Sequence, residues 1–288
     1  MDQAIDLMIA IVTGIAVLTL ISLGLAVVFG MMRVINFAHG EFIMLGGYAT
    51  VIATRQGLNI WIAMLVAAPL TVGVVGIVAE RLIIRRFYGQ SVTTMLATWG
   101  LSLFLIGLVT AIFGNTTRGV AAPLGSVAIG AYSVSAYQLV LIAISALLTV
   151  ACFVALNRTR WGLIARATMR NPEMASTLGI DPVRVYAATF AVGAALSGLA
   201  GGLLAPIAGV IPHMGSAYVA RAFVTVISGG SALVAGTVSA AVLFGPLEAV
   251  LSFAATPVIG QAAVLIAAVI LLRILPQGIT GHWQGIRR

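Results

Sequence analysis

Apolar positions in this chain neither alternate nor recur along one face; they run on for the length of a membrane crossing. Leu7 to Met32 carries no charge at all. Further apolar runs fall at about 58–79, 92–113, 136–156, 183–209, 232–253 and 259–275, each close to the ~20 residues that span a hydrocarbon core. Two more, 41–54 and 218–230, are too short to cross alone. The pattern predicts an all-α polytopic membrane protein of about eight to nine transmembrane segments, two of them short and broken. Each short segment follows a polar or glycine/proline break: Gly30 to Gly40 before the first, and Gly209 to Gly215, with Pro212 and His213, before the second.

Composition agrees. Of 288 residues, 61% are hydrophobic and 8% charged, with a mean hydropathy of +1.15, whereas soluble domains carry about 25% charge. A soluble globular protein is excluded. All 15 basic residues are arginine, so the chain lacks the lysine of a Walker A loop, and any ATP hydrolysis belongs to another polypeptide. The basic excess fits membrane orientation better than nucleic-acid binding, because no basic cluster is joined to a soluble fold. Cys152 stands alone in an apolar run, and His39, His213 and His282 have no metal-ligand spacing. No metal, cofactor or catalytic group is therefore expected. Leu7 to Met32 exceeds a signal-peptide core in length and is read as a retained first helix.

The arginines orient the chain. Arg158, Arg160, Arg166, Arg170 and Arg184 crowd one loop between apolar runs, which places that loop in the cytoplasm by the positive-inside rule. Threading outward puts Glu80, Arg81, Arg85 and Arg86 inside as well, the polar stretch Gly114 to Ser135 outside, the N-terminus outside and the C-terminus inside. Twelve arginines are then cytoplasmic, Arg55 and Arg118 lie outside, and Arg221 sits near or within the membrane. The expected organisation is one transmembrane permease domain, 1–288, with a cytoplasmic loop at about 157–184. In this threading the two breaks are reached from opposite sides, so the halves are related with inverted topology. Paired broken segments of this kind point to a transport path, the alternative being two re-entrant packing elements.

Three groups of residues carry the remaining expectations. Arg33, Asn36, His39 and Glu41 at the first break, with His213 and Arg221 at and beyond the second, are candidates for the translocation path, since ionisable groups at membrane depth are costly and face partners or cavities. The local alternative has Glu41 capping the short helix and pairing with Arg33, Asn36 and His39 satisfying unwound backbone, and Arg221 neutralising Glu248. In the arginine loop, Asn171 is a helix cap, Pro172 suits the first helical position, Glu173 favours the positive end of the dipole, and Gly179 is a C-terminal stop. A short helix at roughly 172–178 results, and a two-turn helix needs a docking surface to be stable. Ala194, Ser197, Gly198, Gly201 and Gly202, and likewise Ala232, Gly236, Ala240, Ala241 and Gly245, give small-residue spacings that let helices approach closely.

The run Glu173-Met174-Ala175, with Gly179 following, resembles the coupling-helix loop of ABC importer permeases, with Met174 in place of alanine. Gly30-Met-Met-Arg33-Val-Ile-Asn36-Phe-Ala-His39-Gly40-Glu41-Phe42 is similar to the signature of the branched-chain amino acid ABC permeases, in their smaller, H-type subunit, and the likeness extends over nearly the whole chain. That resemblance implies a bacterial inner-membrane permease, embedded in lipid and not itself an enzyme. It further implies a second related permease, two cytoplasmic ATPase subunits and a periplasmic binding protein as partners, and leucine, isoleucine and valine as substrates. Arg170, Asn171, Pro172, Glu173, Ala175 and Gly179 would then seat on an ATPase. Leu96 to Ser102 is also similar to the urea and short-amide members of the family.

Two readings from other classes stand beside it. A self-sufficient secondary carrier would need no ATPase. An intramembrane hydrolase would use Ser228 with His213 or His39, which requires base and nucleophile within hydrogen-bond reach.

Overall fold

The computed structural model describes residues 2–32, 34–129 and 132–281. Among these, seven helices are long and apolar enough to cross a membrane: Asp6–Met32, Ile60–Leu82, Ser91–Phe113, Ala136–Arg158, Pro182–Ala208, Leu233–Ala254 and Pro257–Gly281. The two short segments are helical too, and at 17 and 16 residues they fall short of a crossing.

In chain order the helices are α1 (Asp2–Met32), α2 (His39–Arg55) and α3 (Ile60–Ile62), which runs through a π-helical turn (Ala63–Ala67) into α4 (Ala68–Leu82). Then come α5 (Ser91–Phe113), α6 (Ala136–Arg158), α7 (Arg160–Arg170), α8 (Pro172–Thr177), α9 (Pro182–Ala208), α10 (Met214–Gly229), α11 (Leu233–Ala254) and α12 (Pro257–Ile274). The expected spans stand within a few residues of these bounds. Three features were not expected. A 3₁₀ turn (Ile84–Phe87) follows α4, α7 occupies part of what was read as loop, and a hairpin of β1 (Ser126–Ile129) and β2 (Tyr132–Ser135) stands in the stretch before α6, with Ser126 opposite Ser135. Val127, Ile129, Tyr132 and Val134, with Gly130 between the pairs, are a strand-and-turn signal in the sequence, obscured by the length of the apolar helices on either side.

Contacts divide the chain into two compact units. One comprises Leu23–Ala121 and Ala151–Val219; the other comprises Met1–Ser22, Ala122–Val150 and Ala220–Arg288.

In the first unit α9 is the central helix, packed against α2 on one side and α4 on another. Small residues make this possible. A Cβ on Gly46 would overlap Gly198, one on Gly201 would run into the Ile43 carbonyl, and one on Gly202 would lie 2.8 Å from Thr50 Oγ1. The backbones therefore touch, as van der Waals packing in lipid requires. Gly24 of α1 meets the Gly193 carbonyl on a further face of α9. Around these contacts Val28, Phe42, Val72, Leu101 and Phe190 form a closed apolar core, with Phe42 edge-on to Phe190 at 5.9 Å. The small residues of α9 thus perform the packing role their spacing predicted.

In the second unit α11 and α12 pair. Gly245 lies against Ile15 and Gly14, and Ser145 Oγ of α6 donates to the Ala16 carbonyl at 3.0 Å. Where α10 ends, Gly230 has φ +83 and Gly278 has φ +72, and the two residues are in contact. Thr280 Oγ1 donates to the Gly229 carbonyl at 2.6 Å and accepts from the Ala232 amide at 3.0 Å, so a residue after α12 caps both ends of the α10–α11 turn.

Candidate transport path at the helix breaks

The first break gives up helical hydrogen bonds between Met32 and His39 where Val34, Asn36 and Ala38 are buried, so side chains must replace them. Asn36 does so locally: its Oδ1 accepts from the Ala38 amide at 3.0 Å. Thr98, one-third of the way along α5, does so from a distance, accepting from the Phe37 amide and donating to the Ile35 carbonyl, each at 3.2 Å. Asn36 therefore satisfies unwound backbone, as the local reading held.

His39 and Glu41 look outward to other helices instead. His39 is buried, and its Nδ1 lies 3.1 Å from Ser197 Oγ on α9. Ser197, read from sequence as a packing residue, is thus also a polar partner. The local alternative has Glu41 cap α2. It does not: the residue before α2, Ala38, has no side-chain cap, and Glu41 Oε1 accepts from Ser102 Oγ of α5 at 2.9 Å. The Ala38 amide, to which a capping Glu41 would reach back, already donates to Asn36 Oδ1. Glu41 Oε2 rests against Gly215, where the missing side chain leaves room for a carboxylate beside the start of α10. Among the described residues, Oε2 is buried without a hydrogen-bond partner. Arg33, its expected ion-pair partner, lies outside the described residues, as do His282, Arg287 and Arg288.

The second break meets the first. Each short helix begins one residue ahead of a glycine, Gly40 in α2 and Gly215 in α10, and these two glycines are in backbone contact. Gly209 opens the second break with φ +65, Val210 pairs with Arg118 through two backbone hydrogen bonds of 2.9 and 2.6 Å, and Ser216 Oγ donates to the His213 carbonyl. His213 itself is exposed. Arg221 belongs to the other unit, where its Nη1 lies 3.0 Å from Glu248 Oε1. Of the six path candidates, then, Asn36, His39 and Glu41 converge with Thr98, Ser102, Ser197 and Gly215 in one buried polar cluster, while His213 is exposed and Arg221 is ion-paired elsewhere.

Thr98, Ser102 and Gly215 were not singled out from sequence as site residues. A signal existed for the first two: Thr94, Thr98 and Ser102 recur every four residues along an apolar helix, which is a buried polar stripe. Glu80 is another surprise. Read as part of an arginine cluster, it is fully buried and accepts a 2.5 Å hydrogen bond from Tyr88. Burial, with Glu80 alongside, pushes the Tyr88 phenol above its usual range.

The arginine loop follows its local signals closely. Asn171 Oδ1 accepts from the Met174 amide at 2.9 Å, Pro172 and Glu173 open α8, and Gly179 has φ +80. Ile180 N–H donates to the Ala175 carbonyl and Gly179 N–H to the Ser176 carbonyl, the two bonds of a Schellman stop. Asp181 then caps α9 through the Val183 amide. Ala175 is buried, whereas Arg170, Asn171, Pro172, Glu173, Met174 and Leu178 are exposed. An uncharged flank of Met174 and Leu178 on a two-turn helix is a surface in want of a partner.

Comparison with known proteins settles the class. The family model for the permease component of a branched-chain amino acid transport system matches residues 7–275. The chain belongs to this family. It is a multi-pass membrane permease. The high-affinity branched-chain amino acid transport system permease protein LivH of Salmonella typhimurium is 30% identical over 91% of each chain. The probable LivH permease of Methanocaldococcus jannaschii is 27% identical over 94% of this chain and 91% of its own, and the BraD permease of Pseudomonas aeruginosa 28% identical over 80% of each. Among solved structures, PsaBC from Streptococcus pneumoniae in complex with Fab superposes with a TM-score of 0.48 and 14% identity over 93% of this chain and 88% of that one. Likeness at that level adds nothing to the fold described above.

Proposed function

We propose that this permease is the smaller membrane subunit of an ATP-driven importer of leucine, isoleucine and valine, working with a second related permease, two cytoplasmic ATPase subunits and a periplasmic binding protein. Family membership across residues 7–275 carries the reading. Two features support it. The chain has no lysine for a Walker A loop, and α8 offers a capped, exposed helix of the size an ATPase groove would receive. Arg170, Asn171, Pro172, Glu173, Ala175 and Gly179 form this coupling element, and conformational change passes from α8 through Asp181 into α9. Because α9 packs directly on α2, motion of α9 is felt at His39 and Glu41. The buried cluster at the paired breaks is the part of the path within this chain, consistent with the rule that irregular backbone at membrane depth lines a cavity or is buried in protein.

In this reading residues 1–288 are one permease domain of an inner membrane, with the N-terminus outside and the arginine loop and C-terminus inside. Single cysteines at the exposed Thr117 and Gln277, in a Cys152→Ala background, test the orientation. Thr117→Cys should label in intact cells and Gln277→Cys only after permeabilisation; the reverse overturns the topology. Substrate is tested in vesicles holding the complete assembly, binding protein and ATP. Accumulation of leucine or isoleucine is expected. Uptake of urea or acetamide with no amino acid taken up would move the assignment to the amide branch, and uptake without any ATPase would make the chain a secondary carrier.

A further inference from the structure

An apolar groove of about 340 Å³ opens between the last turns of α1, the end of α6, α7 and the start of α9. Val27, Met31, Leu156, Ile164, Val185 and Val192 form its floor and walls. Its polar lining residues include Thr159 and Arg184, both exposed, and the buried Thr189. All of it lies within one compact unit.

Its depth follows from the helices that build it. The span of α6 ends at Arg158 and that of α9 begins at Pro182, so the groove lies where two apolar spans end at the arginine loop, with the last turns of α1 as its further wall. There α7 leaves α6 after a single residue, Thr159, whose Oγ1 accepts from the Gly162 amide. It is amphipathic in a particular way. Gly162 and Thr168 are buried, while Trp161 and Leu163 are 80% and 61% exposed. Large apolar side chains on an arginine-bearing helix at this level mark an interfacial helix, and Trp is enriched at that depth.

The charge is one-sided. From Arg158 to Arg184 there are five arginines against Glu173 and Asp181. Arg166 turns inward to the Leu156 carbonyl and to Asn157 Oδ1. Arg160, which stands in sequence between the lining residues Thr159 and Trp161 without itself lining the groove, is exposed, and the lining Arg184, whose Nε is held 3.1 Å from Asp181, keeps 88% of its side chain exposed. An apolar trough with a cationic rim and an interfacial tryptophan complements a molecule that is apolar at one end and anionic at the other. Basic pockets between transmembrane helices at a membrane surface suit anionic lipid headgroups.

We propose that this groove is a binding site for an anionic phospholipid, with an acyl chain in the trough and the phosphate on Arg160 and Arg184. The proposal does not depend on the transported substrate. A phospholipid seated there would brace α7 against α9, immediately before α8.

The test is native mass spectrometry of the purified complete transporter, delipidated and then given phosphatidylglycerol or phosphatidylcholine. Phosphatidylglycerol should be retained in preference. An Arg160→Glu/Arg184→Glu variant should lose that preference by at least about fivefold, from the attraction each arginine exerts near a charged surface, and Arg184→Lys should keep most of it. Ala188→Trp, which fills the trough from α9, should lower retention of phosphatidylglycerol with an unchanged melting temperature in detergent. Equal retention of the two lipids by the wild type overturns the proposal. So does full phosphatidylglycerol retention by Ala188→Trp. Loss of ATPase co-purification by Ala188→Trp with lipid retention intact would make the groove a protein-docking surface instead.

Discussion

The arginine loop and the first helix break are built on opposite terms. In the loop the contacts that bound α8 and start α9 are made within a few residues: Asn171 to Met174, Ala175 to Ile180, Asp181 to Val183. At the break the decisive contacts reach across the chain, from Glu41 to Ser102, His39 to Ser197, and Gly40 to Gly215. The loop is exposed and its helix ends can be satisfied by water or by their own caps. The break is buried, and every unwound group there needs a partner brought by another helix. The comparison teaches that the proposed coupling element can change its partner without refolding, whereas the cluster can move only if α2, α5, α9 and α10 move together.

The largest effect should come from the glycine contact. Gly40→Leu drives a side chain into the Gly215 backbone, and overpacking of this kind costs roughly 1–3 kcal/mol or more; uptake should be abolished and the detergent melting temperature should fall. A near-normal melting temperature with full uptake would show that the two breaks are not in contact during transport. Ser102→Ala is next. It leaves the Glu41 carboxylate with neither oxygen hydrogen-bonded, a loss of about 1–3 kcal/mol, visible as lower thermal stability and reduced uptake, with Ser102→Thr restoring both.

Gly179→Val sharpens the contrast from the other side. A β-branched residue at φ +80 costs roughly 1–2 kcal/mol, but nothing lies within 4 Å of a Cβ placed there. The strain should stay local: ATPase co-purification and binding-protein-stimulated hydrolysis should fall while the melting temperature of the membrane core stays put. Gly179→Asn should be milder, since Asn tolerates the left-handed region. If Gly179→Val leaves co-purification and hydrolysis unchanged, α8 is only a connector. The smallest effect is Glu173→Lys, which places a cation at the positive end of a short helix dipole for about 0.3–1 kcal/mol, measurable as weaker ATPase retention at low salt and none at high salt.

What could be read without a structure was whatever depends on length or on near neighbours. Apolar runs long enough for the bilayer gave the seven spans, because the cost of placing polar groups in hydrocarbon forbids any other arrangement. The bounds of α8 followed from Asn171, Pro172 and Gly179, since caps act within one turn. The closeness of α9 to its neighbours followed from its small residues. Even α7 had its marker in Thr159, though the density of arginines there suggested a loop. Tertiary structure alone decided which partner each buried polar group takes. Glu41 was legible as costly at its depth, but only the rotation of α5 brings Ser102 to it, and only the absence of a side chain at Gly215 gives its second oxygen space. Arg221 and Glu248 pair by the same logic, from adjacent helices. Hydrogen bonds and steric contacts are short-ranged, and nothing in a linear order fixes which faces of two helices 61 or 158 residues apart will meet. That is settled when all the helices pack at once.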